Sequence, residues 1–157
     1  MDIRQINDKT EKACITLDIM HSLPKWFSPK EDIDRKAIIH QEFPFFACYY
    51  NSEVLGFLAL KVHNEYTAEI YTIAVKEEYH HNGIGSALLV AAEAYCKDMS
   101  FSYLTVKTLD KSASYEPYEK TRAFYKQMGF TPLEIFPTLW DKDNPCIFLV
   151  KHLYYNN

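Results

Sequence analysis

Tyr79-His80-His81-Asn82-Gly83-Ile84-Gly85-Ser86-Ala87-Leu88-Leu89 follows a β-branched and aromatic run, Thr67 to Val75, and opens an amphipathic helix. This junction decides the reading of the chain. A loop of small residues at a helix start leaves main-chain N–H groups without intrahelical acceptors. The helix dipole adds partial positive charge there, so a diphosphate is stabilised without Lys or Arg. Gly83 and Gly85 let the backbone approach phosphate oxygens closely. The expected cradle is His80, His81, Asn82, Gly83, Ile84, Gly85 and Ser86. Two other glycine motifs are excluded. A dinucleotide-binding G-x-G-x-x-G needs Gly where Leu88 stands, and a P-loop needs Gly-Lys-Ser/Thr, which the chain lacks. The bland alternative is a plain helix start with convenient glycines.

Working outward, the helix from Gly83 carries Leu88, Ala91, Ala92 and Tyr95 as one apolar stripe. Upstream, Phe45 to Tyr50 and Val54 to Val62 read as a hairpin about Asn51-Ser52, and Thr67 to Val75 adds a third strand after Asn64-Glu65. Met1 to Ile6 reads as a first strand. Asp8, with Glu11 three residues on, forms a capping box for a helix through Met20, with Ala13, Leu17 and Met20 at helical spacing. Pro24 and Pro29 break the chain around Trp26-Phe27, and Ser28 caps a second helix, with Pro29 first in it, to Gln41. Downstream come a strand, Phe101 to Leu109, a polar loop, Asp110 to Pro117, and a helix ending at Gly129 as its C′ residue. Thr131 to Phe136 and Cys146 to Leu153 close as a hairpin joined by Asp141 to Pro145. The order βααβββαβαββ predicts an α/β domain of the α+β kind, a single domain over 1–157, with a mixed, mostly antiparallel twisted sheet flanked by helices.

Composition narrows the function. Net charge is −4 and no Lys/Arg cluster forms, so a nucleic-acid surface is not expected. A mild acidic excess favours a cationic amine partner. The 15% aromatic content suits a bulky sheet core or a ring-lined cleft. Cys14, Cys48, Cys96 and Cys146 are scattered among apolar neighbours and read as buried hydrophobes, and the pair His80-His81 reads as a solvated loop, so no metal is expected. Trp140, Phe124 and Met128 read as core. No apolar run approaches membrane-spanning length and no basic-then-apolar stretch follows Met1, so no membrane association and a cytoplasmic location are expected.

The segment His80-His81-Asn82-Gly83-Ile84-Gly85 resembles the acetyl-CoA signature of the GNAT superfamily of N-acetyltransferases, Gln/Arg-x-x-Gly-x-Gly/Ala after the fourth strand. The likeness extends through Glu69-Ile70-Tyr71-Thr72-Ile73-Ala74-Val75. It continues in Thr121-Arg122-Ala123-Phe124-Tyr125-Lys126-Gln127-Met128-Gly129-Phe130, which is similar to the family's FYxxxGF helix, and it covers most of the chain from Phe45. His80 departs from the usual Gln or Arg. The resemblance implies the GNAT-like fold and an acetyl-CoA-dependent transfer to a primary amine of a small molecule or peptide, with acetyl-CoA as co-substrate. It also implies a strand edge at Ile73, Ala74 and Val75 that pairs with the pantetheine arm, an oxyanion donor near Val75, and a possible homodimer. A non-catalytic acyl-CoA-binding regulatory domain of the same fold is the alternative.

Chemistry nominates two side chains. A lysine-like ammonium titrates near pH ~10.4, so a base helps deprotonate it at neutral pH. Glu69 interrupts an apolar strand, on the same face as Tyr71, Ile73 and Val75 by simple alternation, and is the candidate base. The competing reading is a strand Glu paired with a Lys across the sheet. Tyr125 is the candidate acid: its phenol, with an ordinary pKa of ~10, is protonated when a thiolate of pKa ~8.5 departs. In the family this tyrosine lies beside that sulfur; otherwise it is a satisfied core aromatic. Lys120, Arg122 and Lys126 are either coenzyme-phosphate ligands or a solvated helix face. Neither motif holds a cysteine, which favours direct transfer over a covalent enzyme intermediate.

Overall fold

Residues 1–153 are described by a computed structural model. The elements run β1 (Asp2–Gln5), α1 (Lys9–His21), α2 (Lys30–His40), β2 (Phe45–Tyr50), β3 (Glu53–Val62), β4 (Thr67–Val75), α3 (Ile84–Asp98), β5 (Tyr103–Leu109), α4 (Pro117–Gln127), β6 (Thr131–Asp141) and β7 (Asn144–His152). Alternating apolar and polar residues would leave one sheet face wet, but β2 to β4 are apolar on both, which demands a helix layer on each side. Phe45, Ala47, Phe57 and Ala59 face one core with Ile19, Met20 and Ile33 of α1 and α2. Phe46, Cys48, Leu58 and Leu60 face the other, with Leu88, Leu89 and Ala92 of α3 and Tyr125 of α4.

The strands lie in the order β1-β2-β3-β4-β5-β7-β6. Only β4 and β5 run parallel, joined by α3 as a crossover, and the other pairs are antiparallel. The element order and α+β character agree with the sequence.

Several local expectations are corrected. Asp8 does cap α1, accepting from Glu11 N–H at 2.8 Å. The buried stripe of α1, however, is Lys12, Ile15, Thr16, Ile19 and Met20, while Ala13 and Leu17 are half-buried, because α1 rolls to lay Lys12 across the end of α2. Pro29, not Ser28, is the N-cap of α2, and no side chain caps it. Cys14 is exposed while the other three thiols are buried. The last hairpin is longer than expected: β6 reaches Asp141, and four residues between Phe136 and Asp141 oppose one on β7. Trp140 lies in that widened stretch and is 48% exposed rather than core, because no helix covers the edge strand β6.

Candidate active site

The centre of the sheet splits. β4 pairs with β5 at Thr67↔Tyr103, Ala68↔Leu104, Glu69↔Thr105 and Ile70↔Val106, and no further. From Tyr71 to Val75 the β4 edge toward β5 has no strand partner among the described residues. On its other side β4 remains paired with β3, but the register jumps: Leu60 opposes Ile70 while Ala59 opposes Thr72. Tyr71 is the extra residue, so the side chains after it change face. Tyr71 packs on His40 and Phe43, and Thr72 bonds His40, on the α1/α2 side. Ile73 and Val75 pack on the α3/α4 side. The expected shared face of Glu69 with Ile73 and Val75 is therefore wrong: Glu69 shares a face with Tyr71 alone of the three. Ala74 turns its methyl into the α1/α2 core, leaving only its backbone on the edge toward β5.

At the open end of the split stands the N-terminus of α3. Gly83 is its N-cap, left-handed at φ 78°, with no capping side chain, and a Cβ there would meet nothing within 4 Å. The first intrahelical bond runs from Ala87 N–H to Gly83 C=O, so the N–H groups of Ile84, Gly85 and Ser86 lack helical acceptors. His81 is left-handed too, at φ 66°. Alternating handedness in such a loop turns successive N–H groups toward a shared concavity. Asn82 is exposed and donates from Nδ2 to Tyr79 C=O. His80 turns inward: Nε2 donates to Val75 C=O at 2.7 Å and the ring meets Trp26 edge-on at 5.3 Å. A Cβ on Gly85 would touch the Phe124 ring at 3.5 Å, an ordinary contact, so this glycine sets helix packing rather than backbone handedness.

Tyr125 lies in the α3/α4 core beside the Phe124 and Phe130 rings, with Ile70 and Val106 of the split in the same cluster. It is 3% exposed, and its hydroxyl makes no hydrogen bond to a described residue. Burial, and secondly the neighbouring Tyr118, push its pKa well above the ordinary phenol value. Arg122 donates one N–H to Leu109 C=O at 2.7 Å, tying α4 to the end of β5, while Lys120 and Lys126 are exposed. Trp26 bridges the arms of the split. Besides meeting His80, its Nε1 donates to Pro117 C=O at 3.2 Å, and its own C=O accepts from the Tyr118 hydroxyl at 2.7 Å.

Glu69 opens onto the other face. A cavity of about 310 Å³ is lined there by His63, Thr67, Glu69, Thr105, Lys107 and Phe148. Glu69 Oε1 is 2.6 Å from His63 Nε2, and Lys107 Nζ lies 3.2 and 3.4 Å from its two oxygens. The cross-strand lysine partner weighed from the sequence is thus present, on β5, while the histidine at the end of β3 was missed. His40 was missed too. It is fully buried, bridges Thr16 at 2.8 Å and Thr72 at 2.9 Å, and burial followed by the charge of Lys36 pushes its pKa down to about 3. Lys107, a lone cation in an apolar strand, was the one legible signal. His63 and His40 gave none, because their partners are distant in sequence. Among the described residues no group of three or more metal-ligating side chains gathers, and no helix is long and apolar enough to cross a membrane.

The family described as Acetyltransferase (GNAT) matches residues 14–130. An uncharacterized N-acetyltransferase of Chlorobaculum tepidum is 31% identical over 97 residues, which is 62% of this chain, and the chain spans 56% of that relative's length. Among solved structures, the aminoglycoside 6'-N-acetyltransferase from Enterococcus faecium superposes with a TM-score of 0.78 at 15% identity, covering 100% of this chain and 99% of its own. A GNAT family acetyltransferase from Elizabethkingia anophelis, with acetyl-CoA bound, gives 0.74 at 23% identity over 97% of each chain.

Proposed function

The chain belongs to the acetyltransferase (GNAT) family, and on that premise we propose that it passes the acetyl group of acetyl-CoA directly to a primary amine. The observation that carries this reading is the uncapped, left-handed start of α3 set at the open end of the β4/β5 split, with the Tyr125 hydroxyl, which has no partner among the described residues, in the core behind it. The free N–H groups of Ile84, Gly85 and Ser86 suit a diphosphate. The unpaired edge from Tyr71 to Val75 suits an extended arm carrying amides, and a free N–H on that edge suits the oxyanion of a tetrahedral intermediate. His80 holds the loop by binding Val75 C=O, so a phosphate contact from its ring is not part of the proposal.

The two faces divide the work. The thioester arrives from the α3/α4 side and the amine from the cavity at Glu69, and they meet through the split. Glu69, positioned by His63, takes a proton from the acceptor ammonium. The neutral nitrogen bonds to the carbonyl carbon, its second proton passes to solvent, and the carbon–sulfur bond breaks. Tyr125 stays protonated and steadies the departing sulfur by hydrogen bonding. Burial has raised its pKa further above that of a thiol, so full proton transfer from it is uphill and solvent protonates the thiolate.

A thiol-release assay with acetyl-CoA and a mixed amine library, read in parallel by mass shift of the amines, tests the proposal. Coenzyme binding without turnover across the library would instead support a non-catalytic acyl-CoA-binding domain, and absence of coenzyme binding would remove the cradle itself.

A further inference from the structure

Resting on the transfer reading above, the charge arrangement around the Glu69 cavity narrows the acceptor. We propose that the acceptor is a small amine carrying a carboxylate, of the amino-acid class, held with its amine at Glu69 and its carboxylate at Lys107.

Three observations carry this. First, Lys107 Nζ stands 3.2 and 3.4 Å from the Glu69 oxygens, so the cavity wall presents a cation and an anion side by side. An α-amino acid carries the opposite pair at a similar spacing and docks by exchanging partners with the wall, so neither charge is left buried and unpaired. Second, about 310 Å³ lies at the low end of small-molecule sites, which suits an amino acid.

Third, the charges beyond the cavity favour an anion. Lys36 of α2 has no ion-pair or hydrogen-bond partner among the described residues, and its Nζ lies 5.8 and 5.7 Å over the Phe27 and Tyr71 rings. Tyr71 lies on the same face as Glu69, packed against His40 and Phe43. Arg35 is paired with Asp32, whose charge also acts on Lys36 without forming an ion pair with it. Close to the Glu69 face the cations are therefore Lys107, in the cavity wall, and Lys36, over the Tyr71 ring. The chain's overall acidity does not oppose this, because salt screens charges beyond a Debye length of ~8 Å.

The test compares kcat/KM for free α-amino acids, their carboxamides, the decarboxylated amines and a polyamine, each with the wild-type chain, Lys107→Met and Lys107→Arg. The expected result is a preference of about ten-fold or more for the acid over its carboxamide, carried by KM. That ratio collapses toward one in Lys107→Met and is restored in Lys107→Arg. A general structural lesion would slow acid and carboxamide alike and leave the ratio standing. Equal or better turnover of the carboxamide or polyamine by the wild type, or an unchanged ratio in Lys107→Met, overturns the acceptor class and leaves the transfer reading intact. Acetyl-CoA binding with no turnover of any amine overturns both.

Discussion

Tyr125 keeps a donor that the folded chain has not spent: a phenol 3% exposed, without a partner among the described residues, in a helix whose other rings pack normally. Removing only that oxygen separates packing from chemistry. Tyr125→Phe is expected to lower kcat by roughly 10²-fold while leaving coenzyme affinity within about two-fold, measured by steady-state kinetics beside calorimetry. Because burial raises this pKa, the phenol stays protonated through the neutral and mildly alkaline range, so no activity loss below about pH 10 is assigned to it. His40 carries the opposite shift. Folded, it titrates near 3; unfolded, near ~6.5, so between those values the unfolded chain binds more protons. Stability from this residue is therefore full above pH ~6.5 and is lost as pH falls toward 3, with a slope of up to ~1.4 kcal/mol per unit. Urea titrations from pH 4 to 7 are expected to show that slope in the wild type and a flatter one in His40→Gln.

At the scale of the element, α3 and its preceding loop separate two glycines that look alike in the sequence. Gly83 sits at φ 78° with open space around it, so a methyl there is strained by the backbone alone, by about 1 kcal/mol. The methyl would also stand in open space at the loop proposed to hold the diphosphate. Gly83→Ala is expected to weaken coenzyme binding at least ten-fold. Gly85→Ala, whose methyl meets Phe124 at 3.5 Å, is expected to bind within about two-fold of the wild type. Isothermal titration of both variants checks the pair, and equal losses would mean the loop does not contact phosphate. The bulge in β4 works at the same scale: one extra residue, Tyr71, sends Glu69 and Ile73 to opposite faces.

For the whole molecule, stability and site share one sheet. Two cores clamp it, and Phe57 is fully buried in the one beneath α1 and α2, stacked on Phe45 at 5.0 Å and touching His40. Phe57→Ala is expected to cost about 3–5 kcal/mol and lower Tm on the order of 10 °C, by scanning calorimetry. The split is a feature of the assembly. It needs β4 and β5 to start paired and then part, with Trp26 bridging the two arms at the far end.

Element order, the strand–loop–helix junction at Gly83 and the C′ glycine of α4 were legible in the chain because they rest on local periodicity and on backbone conformations that side-chain type controls directly. The family likeness was legible for the same reason, since its motifs are short and contiguous. The face reached by Glu69 was not legible, because a bulge cancels the alternation by which a strand is read. A lysine partner for Glu69 was legible as a type, but its place on β5 was not, nor were His63 and the bridge from His40 to the bulge, since each joins residues from separate strands and helices. Trp140 misled for a related cause: an aromatic ring is drawn to the core only where another layer covers it, and β6 ends the sheet uncovered. Local rules set what each segment becomes, whereas the pairing register and the layers set which side chains meet, and catalysis depends on the meeting.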